Sequence, residues 1–535
     1  MLLKRMIALL MLTAVSAVAC APQFQSQDSS SEATVVTATL STRAALPETA
    51  GLALGPARTE ASGDPTPTRV PCPMNTSGPA LNYEIEATLD WPARTLEARQ
   101  QVSYRNETGR TLREIVFSVP ANHEPDQFRL TRVTLADGRP LSDYELAGER
   151  LTVPLLERLH AHCAVGLVLE FDLALPALEG GYSTGSTGYR LGYWGYSERQ
   201  VNLGLWLPLV AAYAAGEGWI TPRHHAVGEQ TALPAADFVL ELAVEGASDK
   251  LRVAGPGVVR QPDDGIWRFE LTGAREITLS ISEAFQMLST LTTSDVAVEL
   301  YYFDNPQAAS ALNAPRHALL TAADALALYE ELFGPYPYPR VVVVQGDFPD
   351  GMEFSGLVFV GDAWFKIWGG GVAEWLTVIT AHEIAHQWWY AQVGSDQGRH
   401  PYLDEALSIY CELLFFERYY PENLDWWWDF RVRQYEPAGY VDAAAYDFYS
   451  VRDYINAIYL RGALMIEALR DDLGDEVFLA WLRQYAGQGR GRIMTPADLW
   501  SLLPDSQYRA TEATRRAYLR QPDILPDLPA VSEIP

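Results

Sequence analysis

The chain has 535 residues, enough for two or three domains. Hydrophobic residues make up 48%, which excludes global disorder and leaves ample side chains for sizeable cores. The 68 acidic residues against 40 basic ones give a formal net charge of −28, and this balance excludes a nucleic-acid partner, which would need a basic footprint.

Residues 1–20, "MLLKRMIALLMLTAVSAVAC", place Lys4 and Arg5 before an apolar run from Met6 to Val15 and end in small residues. This reads as a secretory signal, too short to span a bilayer. "AVAC" resembles the lipobox of bacterial lipoproteins, with Ala17 where Leu is usual. That resemblance implies a lipid-modified Cys20, a cell-surface or periplasm-facing location and a membrane tether; a plain secretory signal is the alternative. Residues 21–75 are rich in Ser, Thr, Ala, Gly and Pro and are expected to form a flexible tether. An exported chain could oxidise Cys72 with Cys163, but sequence leaves the pairing open. Cys411 reads as a small buried apolar residue.

From 76 to 290 the hydrophobic period is two. "YEIEATLDW" puts Tyr83, Ile85, Ala87, Leu89 and Trp91 on one face and Glu84, Glu86, Thr88 and Asp90 on the other. Residues 165–175 and 237–245 repeat the pattern, with turn signals between such runs. The expected fold class is multidomain α+β: an antiparallel β-sandwich-like domain over 76–290, then a mainly helical domain over 291–505. The Gly/Tyr-rich stretch 180–196 reads as a surface loop. "AASALNAPRHALLTAADALALYEELFG" has helical spacing and stops at Gly334, and "YPRVVVVQGDF" is a short buried strand. Residues 506–535 read as a tail along the surface.

Chemistry concentrates in "AHEIAHQWWY", residues 381–390. On a helix, His382 and His386 share one face, one turn apart, and can grip one metal ion. Glu383 lies about 100° round, within reach of a water at the metal. This H-E-x-x-H pattern calls for a third ligand from a neighbouring element and an open fourth position. A second helix over "LDEALSIYCELLFFERYY" carries Glu405 in its first turn, 18 residues after His386.

With that spacing the chain resembles the aminopeptidase N family of gluzincin zinc metallopeptidases. "AHEIAHQWW" and "YLDEALSIY" are similar to the family's zinc-helix words, "DGMEFSGLVF" (350–359) to its "GAMEN" segment, and "AIYLRGALMIEAL" (457–469) to its catalytic-tyrosine segment. The resemblance covers about 80–503 and implies a thermolysin-like catalytic domain with one Zn2+. The implied ligands are His382, His386 and Glu405, with Glu383 as general base toward a metal-activated water. Tyr459 would stabilise the oxyanion. Glu353 would bind the free α-amine of a peptide substrate, with Gly351 and Met352 beside it. Glu412 would hold a ligand histidine, and Asp404 would help cap the second helix. Two positions depart from "GAMEN": Asp350 stands for its first Gly and Phe354 for its last residue. A second amine contact from the β domain has no recognisable position. The family's large C-terminal helical domain is not expected here, which implies a more open cleft. Alternatives are an endopeptidase or other hydrolase on the same fold, or a non-catalytic binding relative. The pair His224 and His225, and His400, read as loop residues, and the indoles of "DWWWDF" (425–430) as packing. Sequence leaves the oligomeric state unknown.

Overall fold

A computed structural model describes residues 72, 79–178, 192–260, 265–304 and 313–525. The expected signal, Cys20 and most of the tether lie outside the described residues. Cys72 and Cys163 form a disulfide.

The alternating segments become strands of a seven-stranded sheet, ordered Val258–Arg260, Trp267–Ala274, Ala236–Glu245, Leu81–Asp90, Thr95–Arg105, Ala164–Ala174 and Phe128–Leu135. Tyr83, Ile85, Ala87 and Leu89 are buried, while Glu84 and Glu86 face water. One pairing departs from the antiparallel expectation: Leu81–Asp90 and Ala236–Glu245 run parallel at the centre. Half-buried alternation is the same for either direction, so the pattern could not reveal it. Residues 192–196 also differ from a surface loop, because Trp194–Tyr196 is a strand and Trp194 is buried.

The second region opens with a five-stranded sheet, ordered Phe285–Leu291, Ala297–Phe303, Arg340–Gly346, Leu357–Gly361 and Gly351–Phe354. Its central strand carries Val341, Val342, Val343 and Val344, all fully buried, as a strand covered on both faces requires. Four helices matter for the site: α1 (Asn313–Phe333), α2 (Trp375–Ala385), α3 (Glu405–Tyr419) and α4 (Arg461–Leu473). Gly334 ends α1 with φ +107°, donating its N–H to Glu330 O at 3.0 Å. The expected tail also differs. Asp505–Ala510 and Glu512–Tyr518 are helical, and Arg515 lies 3.7 Å over the Tyr508 ring, both residues buried. Residues 526–535 lie outside the described residues.

After α2 the chain leaves helical geometry at Trp389 and Tyr390, so several carbonyls lose their intrahelical partners. Arg275, from the β region, takes them. Its guanidinium donates to the carbonyls of Tyr390 (3.3 Å), Ala391 (3.1 Å), Gln392 (2.7 Å), Leu233 (3.0 Å) and Arg492 (2.8 Å). This side chain is buried, so removing it strands acceptors that water cannot reach. Arg275→Ala is expected to lower unfolding free energy by about 3–5 kcal/mol, measured by denaturant titration.

Candidate active site

His382 lies in the last turn of α2, and His386 is its C-cap; Glu405 begins α3. Glu405 Oε2 stands 3.3 Å from His382 Nε2 and 3.5 Å from His386 Nε2. The two Nε2 atoms and one carboxylate oxygen therefore converge on one point, with each side chain buried. The other imidazole nitrogens are fixed from behind. His382 Nδ1 is 2.9 Å from Glu412 Oε1, and His386 Nδ1 is 2.6 Å from Asp404 Oδ1. Each carboxylate holds the proton on Nδ1 and leaves Nε2 as the free donor atom, the tautomer a metal ligand needs.

Those two carboxylates are themselves held. Arg431 donates to Glu412 through Nε and Nη2, both at 2.9 Å, and Trp427 Nε1 adds a bond at 3.1 Å. The central indole of "DWWWDF" is thus a hydrogen-bond donor as well as packing. Gln397 Nε2 bridges Asp404 (2.5 Å) and Glu353 (3.0 Å), and Gln397 is tied to Thr231 of the β region. Asp404 makes no side-chain cap bond to α3; its carboxylate is spent on His386 and Gln397 instead. His400 joins none of this cluster.

Glu383 points from α2 toward the edge strand Gly351–Phe354. Its Oε2 is buried with no hydrogen-bond partner among the described residues. Burial pushes its carboxyl up to about 8, despite His382 and His386 nearby. A Cβ on Gly351 would meet Glu383 Oε1 at 2.0 Å, so glycine there makes room for the glutamate. Asp350 adopts φ +64°, the left-handed region that glycine favours and aspartate tolerates, which accounts for an Asp where the family pattern has Gly. Glu353 is buried on the same strand, and Met352 and Tyr193 line the cleft beside it. Tyr459 lies on a π-helical turn, Ile455–Leu460. Its ring stacks on His382 with centroids 5.9 Å apart, and its hydroxyl donates to Glu405. Burial first, then Glu405, keeps that phenol protonated.

Sequence reasoning missed Glu229. This loop residue precedes strand Ala236–Glu245, lines the same cleft of about 290 Å³, and acts electrostatically on both Glu353 and Tyr459. Nothing in its local sequence marks it.

The cluster fits a divalent cation. Glu353, Glu383, Asp404, Glu405 and Glu412 are buried together, and the buried Arg431 pairs with Glu412 alone among them. Burial opposes ionisation of Glu405, yet His386 and His382 hold its carboxyl down to about 2. For His382, burial opposes the charge and bonds to Glu405 and Glu412 carry it up to about 9.

Residues 317–515 match the family model described as "Peptidase family M1 domain". Over that stretch the chain is similar to peptidase family M1. Among curated M1 relatives it is 23% identical to Aminopeptidase M1-A of Oryza sativa subsp. japonica, over 54% of this chain and 34% of that one. It is 27% identical to human Endoplasmic reticulum aminopeptidase 2, over 42% of this chain and 24% of that one. Aminopeptidase N of Lactobacillus helveticus is 26% identical, over 54% and 36%. The chain thus spans about a third or less of the length of these curated relatives. Among solved structures, the M1 zinc metallopeptidase from Deinococcus radiodurans superposes with a TM-score of 0.57 at 18% identity, covering 85% of this chain and 96% of that one. A mutant two-domain M1 zinc metallopeptidase bound to L-arginine gives 0.58 at 18% identity, over 82% and 94%. These likenesses establish the fold.

Two outcomes follow from this geometry. Glu412→Gln is expected to weaken zinc binding roughly 10- to 100-fold in a chelator competition, because it loosens His382 from behind. Gly351→Ala is expected to displace the Glu383 carboxylate, seen in a crystal structure of the variant, with little change in melting temperature, because Glu383 alone must move aside.

Proposed function

We propose that this chain is a zinc-dependent aminopeptidase that removes N-terminal residues from peptides. The observation that carries the reading is the convergence of His382 Nε2, His386 Nε2 and Glu405 Oε2 in front of Glu383, whose buried oxygen has no partner among the described residues. Zinc held by these three residues would supply Lewis acidity toward an attacking water and a scissile carbonyl.

The chain's own groups do the rest. Glu383 accepts a proton from the attacking water at a carboxylate oxygen and delivers it to the departing amine nitrogen. A buried carboxyl with a raised pKa suits that double duty, since it can hold the proton between the two transfers. Tyr459 donates its phenol hydrogen to the oxygen that becomes negative as the carbonyl is attacked. Its protonation is secured by burial and by Glu405. Glu353 takes the substrate's α-ammonium, and Glu229 faces it from the β region as a second carboxylate for the same charge. A cationic amine there relieves the repulsion that Asp404, Glu405 and Glu229 exert on Glu353. A blocked N-terminus offers no such relief, and this difference makes an exopeptidase of the site.

The test compares free and N-acetylated peptides on the purified protein, with and without chelator. Free peptides should be cleaved, acetylated ones should not, and zinc should restore activity after chelation. Glu383→Gln should lose on the order of 10²- to 10⁴-fold in kcat. Tyr459→Phe should lose on the order of 10²- to 10³-fold in kcat. Cleavage that survives both chelator and Glu383→Gln would sink the zinc mechanism; equal cleavage of acetylated peptides would sink the roles of Glu353 and Glu229.

A further inference from the structure

Three loops of the β region line a second cavity, which shares Met352 and Tyr193 with the cleft of the candidate active site. The turn Pro120–Asn122 leads into His123, the hairpin before strand Arg150–Leu159 supplies Glu149, and the segment after strand Gly218–Ile220 supplies His224. Their donor atoms all lie within 4.8 Å of one another. His123 Nδ1 is 3.2 Å from Glu149 Oε1, and His224 Nδ1 is 3.8 Å from the same oxygen. The two imidazoles face each other with centroids 3.6 Å apart. A tetrahedral ion with bonds of about 2.1 Å holds its donors about 3.4 Å apart, close to these separations.

Charge balance points the same way. If both rings were protonated, they would repel across a centroid separation of 3.6 Å. A single imidazolium would balance Glu149 and leave Glu124 uncompensated. Burial pushes the Glu149 carboxyl up to about 7, with no side-chain charge pulling it back. The neighbouring Arg150 sends its guanidinium to Thr221 (2.8 Å), and the next charged group, Glu124, adds negative charge 3.5 Å from His123 Nε2. A divalent cation resolves both problems, and two imidazoles with one carboxylate are a donor set suited to zinc-class ions.

We propose that His123, Glu149 and His224 form a second divalent-metal site, separate from the catalytic cluster. Its place in the fold gives it a task. His225 is the next residue, 2.7 Å from Phe448 O through Nε2, and the loop then runs to Glu229 and Thr231. Glu229 lines the catalytic cleft and Thr231 holds Gln397, which bridges Asp404 and Glu353. An ion at His224 pins the start of the loop whose far end carries those contacts.

The test counts metal on the full protein, stripped with chelator and re-equilibrated with buffered zinc. Wild type should hold two equivalents; Glu149→Gln and His224→Ala should each hold one, with cooperative thermal unfolding retained. Titration with Co2+ should give two increments of visible absorption in wild type and one in each variant. His123→Gln replaces any variant that fails to unfold cooperatively. Equal metal content in wild type and both variants overturns the proposal, whatever the total. The result is independent of whether the catalytic reading holds, because the catalytic ligands are untouched.

Discussion

Mutual repulsion among buried carboxylates is the constraint on which this site depends. Glu353, Glu383, Asp404, Glu405 and Glu412 share one interior, and Arg431 reaches only the last of them directly. Ionised carboxylates out of water are tolerated when paired, and the pairing here is parcelled out. Arg431 and Trp427 take Glu412, which takes His382; Gln397 takes Asp404, which takes His386. What remains over is Glu405 and Glu383 facing the cleft, and Glu353 beyond them, three buried carboxyls with no lysine or arginine of their own among the described residues. The first fits the metal cation, and the last the ammonium group, that the proposed reaction calls for.

The β region is part of this arrangement. Arg275 gathers the carbonyls freed where the chain leaves α2, so the zinc helix can end abruptly just past His386. Thr231 steadies Gln397, two steps from a zinc ligand. Glu229 reaches the cleft itself. A sheet whose outer face could serve as mere covering thus supplies one structural hub and two contacts with the active site.

The legible parts of the sequence were those with a period or a fixed spacing. Alternation in "YEIEATLDW" marked a half-buried strand, and the four-residue step from His382 to His386 marked a shared helix face. The parallel pairing at the centre of the large sheet left no trace, because burial alternates identically in both directions. Asp404 read as a cap because it precedes a helix, and only the structure reveals that His386 competes for its carboxylate. Glu229, Arg275 and Trp427 lie far from the motifs in sequence and act through contacts that fold topology alone brings about.

The edge strand Gly351–Phe354 has a consequence of its own. It pairs antiparallel with Leu357–Gly361, Glu353 opposite Val358 and Gly351 opposite Val360. Gly351 and Glu353 therefore sit on the same face, roughly 7 Å apart along the strand. One gives Glu383 its room, and the other faces the position proposed for the substrate's amine. The distance between proton transfer and amine recognition is then a property of strand pleat, set by backbone hydrogen bonds. A slip of one residue would turn Glu353 to the opposite face and set a side chain against Glu383 at once. In the proposed reaction, length of cut and competence to cut are written in a single register, and neither can drift without the other.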